Sequence, residues 1–316
     1  MSTGPMYVAG HRGLVGSAVW RAAEARGLSP VGRSHEELDL MVRADVDAYL
    51  AETRPSSLVL AAARVGGILA NATYPAEFIY ENLQVQLNVI QSAVDHGVDK
   101  LLFLGSSCIY PKFASQPIAE SSLMTGALEP TNDAYAIAKI AGVFQVQAIR
   151  RQYGLPYISA MPTNLYGPGD NFDLQSSHVL PAMIRKMHDA KTAERRYVDM
   201  WGTGTPRREF LHVDDLARAC LFLMEAYDEP EPINVGTGED ITVRELAMVV
   251  REVVGYEGKI VWDSTKPDGT PRKQLDTRKI NALGWLPTIG LEDGIRSTYA
   301  WFLEHAERLG PEAKTR

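Results

Sequence analysis

Short apolar runs alternate along the chain with stretches whose apolar residues recur every three or four positions. Met6–Ala9 is a run of the first kind, and a helical spacing follows it through Arg26. Ser29–Val31, Leu58–Ala63, Leu101–Leu104 and Pro156–Met161 are further short runs, and long helical patterns occupy Pro75–Val94 and Asp133–Tyr153. Uninterrupted apolar runs of this length suit strands buried on both faces, and their alternation with helices predicts a parallel sheet covered on both sides. The expected fold class is α/β, a doubly wound parallel sheet.

After Pro162 the rhythm becomes irregular. Tyr166-Gly167-Pro168-Gly169-Asp170 is turn chemistry. Helical spacing returns over Val179–His188, Val213–Met224, Val243–Val254 and Leu291–Leu303, and Arg208–Leu211 reads as a strand. We expect a first domain over residues 1–161, rejoined by a segment near 206–236, and a smaller, mainly substrate-binding α/β domain over 162–316.

The chain has 316 residues, 45% of them hydrophobic, enough for a sizeable core. Its net charge of −7 argues against a basic surface that coats nucleic acid or an anionic membrane. There is no apolar stretch long enough to span a bilayer and no basic–apolar leader in MSTGPMYVAG, so no nucleic-acid or membrane partner is expected and the cytoplasm is the expected location. The two cysteines, Cys108 and Cys220, form no disulfide framework, and no metal-ligand spacing occurs. Cys220, in the apolar stretch Ala217–Met224, reads as core.

Gly10-His11-Arg12-Gly13-Leu14-Val15-Gly16 follows the first strand and opens the first helix. Glycines there let the backbone approach a pyrophosphate at a helix N-terminus, which makes the expected sheet Rossmann-type. An acid after the second strand would bind the ribose of NAD, but Arg33 stands there, with Arg12 inside the glycine turn. Two guanidiniums suit the 2′-phosphate of NADP. His35, a part-time cation near neutral pH, leaves room for residual NADH use. Tyr135 and Lys139 form the one YxxxK in the chain and share a helix face, so the ammonium is expected to lower the phenol from its ordinary ~10.

With Ser106 between these motifs, the chain resembles the extended short-chain dehydrogenase/reductase family, and within it the sugar-nucleotide 3,5-epimerase/4-reductases. The resemblance rests on AGHRGLVGSA, AAARVGGILAN, FLGSSCIYP, EPTNDAYAIAKIAG, MPTNLYGP, SSHVLPA, WGTGTPRREFLHVDD, NVGTG and KPDGTPRK, in this order over nearly the whole chain. It implies a substrate, GDP-4-keto-6-deoxy-mannose, whose C4 ketone acidifies the protons on C3 and C5. It further implies Cys108 as base and His178 as acid for their inversion, with Ser106 and Tyr135 on the carbonyl and Lys139 behind the phenol. NADPH would then reduce C4.

By the same resemblance the cofactor lies along the glycine turn, Arg33, His35, Ala62, Leu104, Ser106, Lys139, Pro162, Thr163, Asn164, Leu165 and His178, with Asn82 behind Ala62. Lys186, Trp201, Arg208 and Asp268 join His178 around the sugar nucleotide. The helices over Pro75–Val94 and Asp133–Tyr153 would pair two copies into a homodimer, although their apolar content equally suits packing on the sheet. A 4-epimerase, a 4,6-dehydratase and a non-catalytic NADP-binding sensor are the competing expectations. A dehydratase typically sets an acid pair where Ser107 and Cys108 stand.

Overall fold

The computed structural model describes residues 4–266 and 268–306. The chain begins β1 (Met6–Ala9), α1 (Leu14–Ala25), β2 (Pro30–Val31), α2 (Arg43–Thr53), β3 (Ser57–Leu60), α3 (Ile68–Thr73), α4 (Pro75–Asp95), β4 (Lys100–Leu104), α5 (Asp133–Tyr153) and β5 (Ile158–Pro162). It continues with β6 (Asn164–Tyr166), α6 (Val179–Thr192), β7 (Tyr197–Trp201), β8 (Arg207–Arg208), β9 (Phe210–His212), α7 (Val213–Ala226) and β10 (Ile233–Val235). The last elements are β11 (Ile241–Thr242), α8 (Val243–Val254), β12 (Lys259–Asp263), β13 (Arg272–Lys273), α9 (Arg278–Ala282) and α10 (Leu291–His305).

Six parallel strands form the main sheet in the order β10-β5-β4-β3-β1-β2. Side chains alternate across each strand, which divides the apolar runs between two layers. Met6, Val8, Val59, Leu102 and Leu104 face one layer, packed with Val19 of α1 and Leu216 of α7. Tyr7, Leu58, Leu60, Leu101 and Phe103 face the other, packed with Leu50 of α2, Ile90 of α4 and Val143 of α5. Both faces are covered, which is why these strands read as continuous apolar runs. A third cluster joins Met183 of α6, Val250 of α8 and Phe302 of α10. Among the described residues no helix is long and apolar enough to cross a membrane.

The order reverses at β1, and the chain leaving its carboxyl end enters the glycine turn. In open α/β sheets ligands bind in the crevice at such a switch point. The strand expected over Arg208–Leu211 is divided into β8 and β9, which belong to different small sheets. Between them Glu209 is wholly buried and accepts hydrogen bonds from the backbone of Leu275 at 2.7 Å and Gly238 at 2.8 Å. A carboxylate aimed inward at two other segments breaks the run. Helix α2 has no counterpart among the expected elements, since RADVDAYLAET buries only Val46, Tyr49 and Leu50.

Helices α4 and α5 pack closely where Gln86 donates to the Ala138 carbonyl at 2.6 Å. Gly142 allows this, because a Cβ there would run into the Phe103 ring and reach Gln86 Oε1 at 3.0 Å. Gly142→Ala is expected to destabilise the protein by about 1–3 kcal/mol through overpacking. Urea unfolding measures this, and an unchanged midpoint would show slack between the helices.

Candidate active site

The glycine turn is a cradle. Gly10 has φ +86°, and a Cβ on it would sit 2.7 Å from the backbone nitrogen of Ala62. A Cβ on Gly16 would strike the Gly10 carbonyl. Gly13 caps α1 without a side chain. Among the described residues no side chain caps the first-turn N–H groups of Leu14, Val15 and Gly16, the arrangement that favours an anion. These features fit a dinucleotide pyrophosphate. His11 packs against Trp20 with ring centres 5.1 Å apart, and its buried Nδ1 has no hydrogen-bond partner among the described residues.

Arg12 and Arg33 both act on Glu37. Arg12 lies 4.0 Å from Glu36, and Arg33 lies over the Tyr49 ring at 5.6 Å. Hydrogen bonds from Ser34, then the charges of Arg33 and Arg12, hold the Glu37 carboxyl below its ordinary value. His35 is exposed on the same turn.

The carbonyl pocket lies at the end of β4. Ser106 Oγ accepts from the Cys108 backbone at 3.2 Å, which fixes the single helical turn over Ser107–Ile109. Opposite, α5 presents Tyr135 and Lys139. Lys139 is buried, donates to the Leu104 carbonyl at 2.9 Å, and lies 4.9 Å from the Phe103 ring and 5.9 Å from the Tyr135 ring. Burial lowers Lys139 from 10.5 to about 7. Tyr135 departs from the sequence expectation. Burial and then Cys108 push its phenol up, against a hydrogen bond with Ser106. Shared helix spacing places the ammonium beside the ring, where its bond goes to Leu104, and burial outweighs it.

Cys108 is held below its ordinary thiol value. Burial would push its thiol up, but the Lys273 ammonium and hydrogen bonds involving Ser106, Lys273 and Asn132 bring it below the usual value. Asn132 Nδ2 is 3.3 Å and Lys273 Nζ 3.4 Å from the sulfur. His178, at the N-terminus of α6, is lowered by burial and then by Lys273, so one ammonium faces both residues. Cys220 is buried in the core.

Pro162 ends β5 beside Val235. Thr163 Oγ1 and Asn164 Nδ2 donate to the Glu209 carbonyl at 3.2 and 2.7 Å, and Leu165 pairs with Leu211. Asn82 brackets the backbone of Arg64, at 3.1 Å from its nitrogen and 3.0 Å from its oxygen. Lys186 lies 5.3 Å from the Trp201 ring, and Trp201 is half exposed. Burial lowers Arg208, whose guanidinium faces Cys108, Asp268 and Glu129, so it links the carbonyl pocket to the Asp268 segment. The Asp268 carboxylate itself is engaged by Thr203, through N and Oγ1 at 2.8 Å each.

Residues 6–236 match the model of the NAD dependent epimerase/dehydratase family. The chain belongs to that family. It is 58% identical to GDP-L-fucose synthase 1 of Arabidopsis thaliana over 301 residues, 95% of this chain and 93% of that protein. It is 53% identical to the GDP-L-fucose synthase of Escherichia coli K12 over 319 residues, 98% and 99% of the two chains. The crystal structure of a GDP-L-fucose synthetase from Naegleria fowleri bound to NADP superposes with a TM-score of 0.88 at 27% identity, covering 97% of this chain and 96% of that one. Membership in this family supports a nicotinamide cofactor for the chain.

Sequence reasoning passed over Lys273 and Asn132. The motifs KPDGTPRK and EPTNDAYAIAKIAG contain them, but nothing local ties Lys273 to a cysteine 165 residues away. The signal appears only once β13 pairs with β8.

Burial of Lys139 has a stability cost with a definite sign. Its folded value lies below the unfolded one, so the unfolded chain binds more protons between about pH 7 and 10.5, and stability rises with pH across that window. Lys139→Met is expected to be more stable than wild type at pH 7 by roughly 1–3 kcal/mol, after the orphaned Leu104 carbonyl is counted. The gain should shrink with rising pH and reverse before pH 10.5, the ordinary lysine value, where only the cost of the orphaned carbonyl remains. Urea midpoints against pH measure this, and a pH-independent difference would contradict it.

Proposed function

We propose that this chain is a bifunctional epimerase/reductase that converts GDP-4-keto-6-deoxy-mannose to GDP-L-fucose, inverting C3 and C5 and reducing C4 with NADPH. The observation that carries this is Cys108. A thiol held below its ordinary value stands two residues beyond Ser106 and close enough to Tyr135 to push the phenol up. A simple ketoreductase has no use for such a group.

The chemistry follows from charge on one oxygen. Ser106 and Tyr135 hold the C4 carbonyl. Cys108 takes a proton from a carbon beside it, and the enolate charge collects on the same oxygen. His178 returns a proton from the other face. Burial and then Lys273 disfavour its proton in the free site, and the negative charge of a bound GDP sugar favours it. A bound nicotinamide supplies the hydride for C4. Tyr135, whose phenol burial keeps protonated, gives its proton to the resulting alkoxide, with Lys139 behind it. Enolate and alkoxide place charge at the same spot, so one polar pocket stabilises both.

NADP is the proposed form because Arg12 and Arg33, which both act on Glu37, suit a 2′-phosphate. Lys186, Trp201, Arg208 and Asp268 are the proposed contacts for the sugar nucleotide, with the cytoplasm as the proposed location. A 4-epimerase or dehydratase would return its cofactor unchanged, so stoichiometric NADPH consumption separates those readings. Two copies are proposed to pair through α4 and α5, where Tyr80 and Leu87, and Ile137 and Phe144, lie seven residues apart and exposed by 60, 49, 46 and 43%.

Cys108→Ala is expected to bind NADPH like wild type but to lose solvent exchange at C3 and C5, while Tyr135→Phe loses at least about 100-fold in reduction and keeps exchange. NMR of the sugar in D2O reads both. Full GDP-L-fucose output by Cys108→Ala would sink the base assignment. For the pairing, Leu87→Asp with Phe144→Asp should halve the mass seen by light scattering. A wild-type protein already monomeric would refute the dimer.

A further inference from the structure

Among the described residues the Lys273 ammonium has one hydrogen-bond partner, the Cys108 sulfur at 3.4 Å. Its backbone is fixed from both sides. Lys273 pairs with Arg208 across the parallel strands β13 and β8, and its carbonyl accepts from Glu209 at 3.3 Å. Gln274 is tied on both its groups, its nitrogen to Gln116 Oε1 at 3.0 Å and its carbonyl to the Ile118 nitrogen at 2.8 Å. Leu275 is held by the buried Glu209 carboxylate at 2.7 Å. A lysine anchored this way places its charge at a fixed point.

We propose that Lys273 is a positioning residue whose ammonium, seated on the Cys108 sulfur, holds that sulfur as the thiolate that takes the proton from the sugar. The inference rests on the epimerase/reductase reading and names what arms its base. The balance is simple: the C–H electron pair moves toward the C4 oxygen, the proton goes to sulfur, and the thiol results.

Among the described residues Lys273 is the cation at hydrogen-bond distance from the Cys108 sulfur. Tyr135, from α5, stays protonated. Asn132 and Ser106 are neutral. Arg208, from β8, also faces Cys108, but its guanidinium donates to the carbonyls of Arg207 at 2.8 Å and Asp268 at 3.3 Å and faces the Asp268 and Glu129 carboxylates as well. The Lys273 ammonium also disfavours a proton on His178. One cation thus favours the charged sulfur and, together with burial, disfavours the imidazolium.

The test is the pH dependence of Cys108 alkylation by iodoacetamide in the whole protein without substrate, read by mass spectrometry. Cys220, buried in the core with its thiol pushed up to about 12, is the internal blank. Wild type should alkylate with a midpoint below the free-thiol value of ~8.5. Lys273→Met and Lys273→Gln should raise the midpoint and slow alkylation at neutral pH about tenfold, equal to about one pKa unit. Lys273→Arg should recover most of the loss, which a merely structural role would not produce. NADPH binding reports folding in each variant. A wild-type midpoint at or above the free-thiol value would overturn the proposal, as would Met and Gln variants that bind NADPH and keep the wild-type midpoint. If wild type makes no GDP-L-fucose, the function fails while this titration still decides what Lys273 does.

Discussion

The site depends on keeping cations uncompensated at the end of a buried sheet. Lys139 is buried, with the Leu104 carbonyl as its hydrogen-bond acceptor and the Phe103 and Tyr135 rings beside it. Lys273 faces a sulfur. Among the described residues neither ammonium makes an ion pair with a carboxylate. In a chain of net charge −7 this is a local inversion. A buried, unpaired charge costs stability unless something offsets it. Here negative charge must appear on a carbonyl oxygen during reaction, and donors preorganised for it act strongly because the surroundings are poor in water.

The fold supports this arrangement with two kinds of rigidity. The parallel strands are packed on both faces, so the ends of β4 and β5 present Ser106 and Thr163 from a fixed frame. Glu209 ties the later segments to that frame. Its backbone carbonyl receives Thr163 and Asn164, and its carboxylate receives Gly238 and Leu275. The segment carrying Lys273 thereby meets the loop carrying Cys108. The glycine turn contributes differently, since among the described residues no side chain caps the first-turn N–H groups of α1, which favours an anion.

Local pattern carried much of the fold. The runs at Met6–Ala9 and Leu101–Leu104 are strands, and helix α5 spans Asp133–Tyr153 as its periodicity predicts. The glycine turn was legible because spacing and context lie within a dozen residues. Properties set by burial or by distant pairing were not legible. The spacing of Tyr135 and Lys139 shows that they share a face, but not that burial would raise the phenol and direct the ammonium to a carbonyl. Arg208–Leu211 reads as one strand because sequence does not show the buried destination of Glu209. Lys273 reaches Cys108 through strand pairing, which no local motif encodes.

The most direct measurement is turnover of GDP-4-keto-6-deoxy-mannose by the wild-type protein with NADPH in D2O, followed at 340 nm and by NMR of the sugar nucleotide. The expected result is one NADPH oxidised per product, with deuterium at both C3 and C5 of GDP-L-fucose. Oxidation without deuterium at those carbons would leave a plain 4-ketoreductase and contradict the claim that one pocket serves proton transfer and reduction alike.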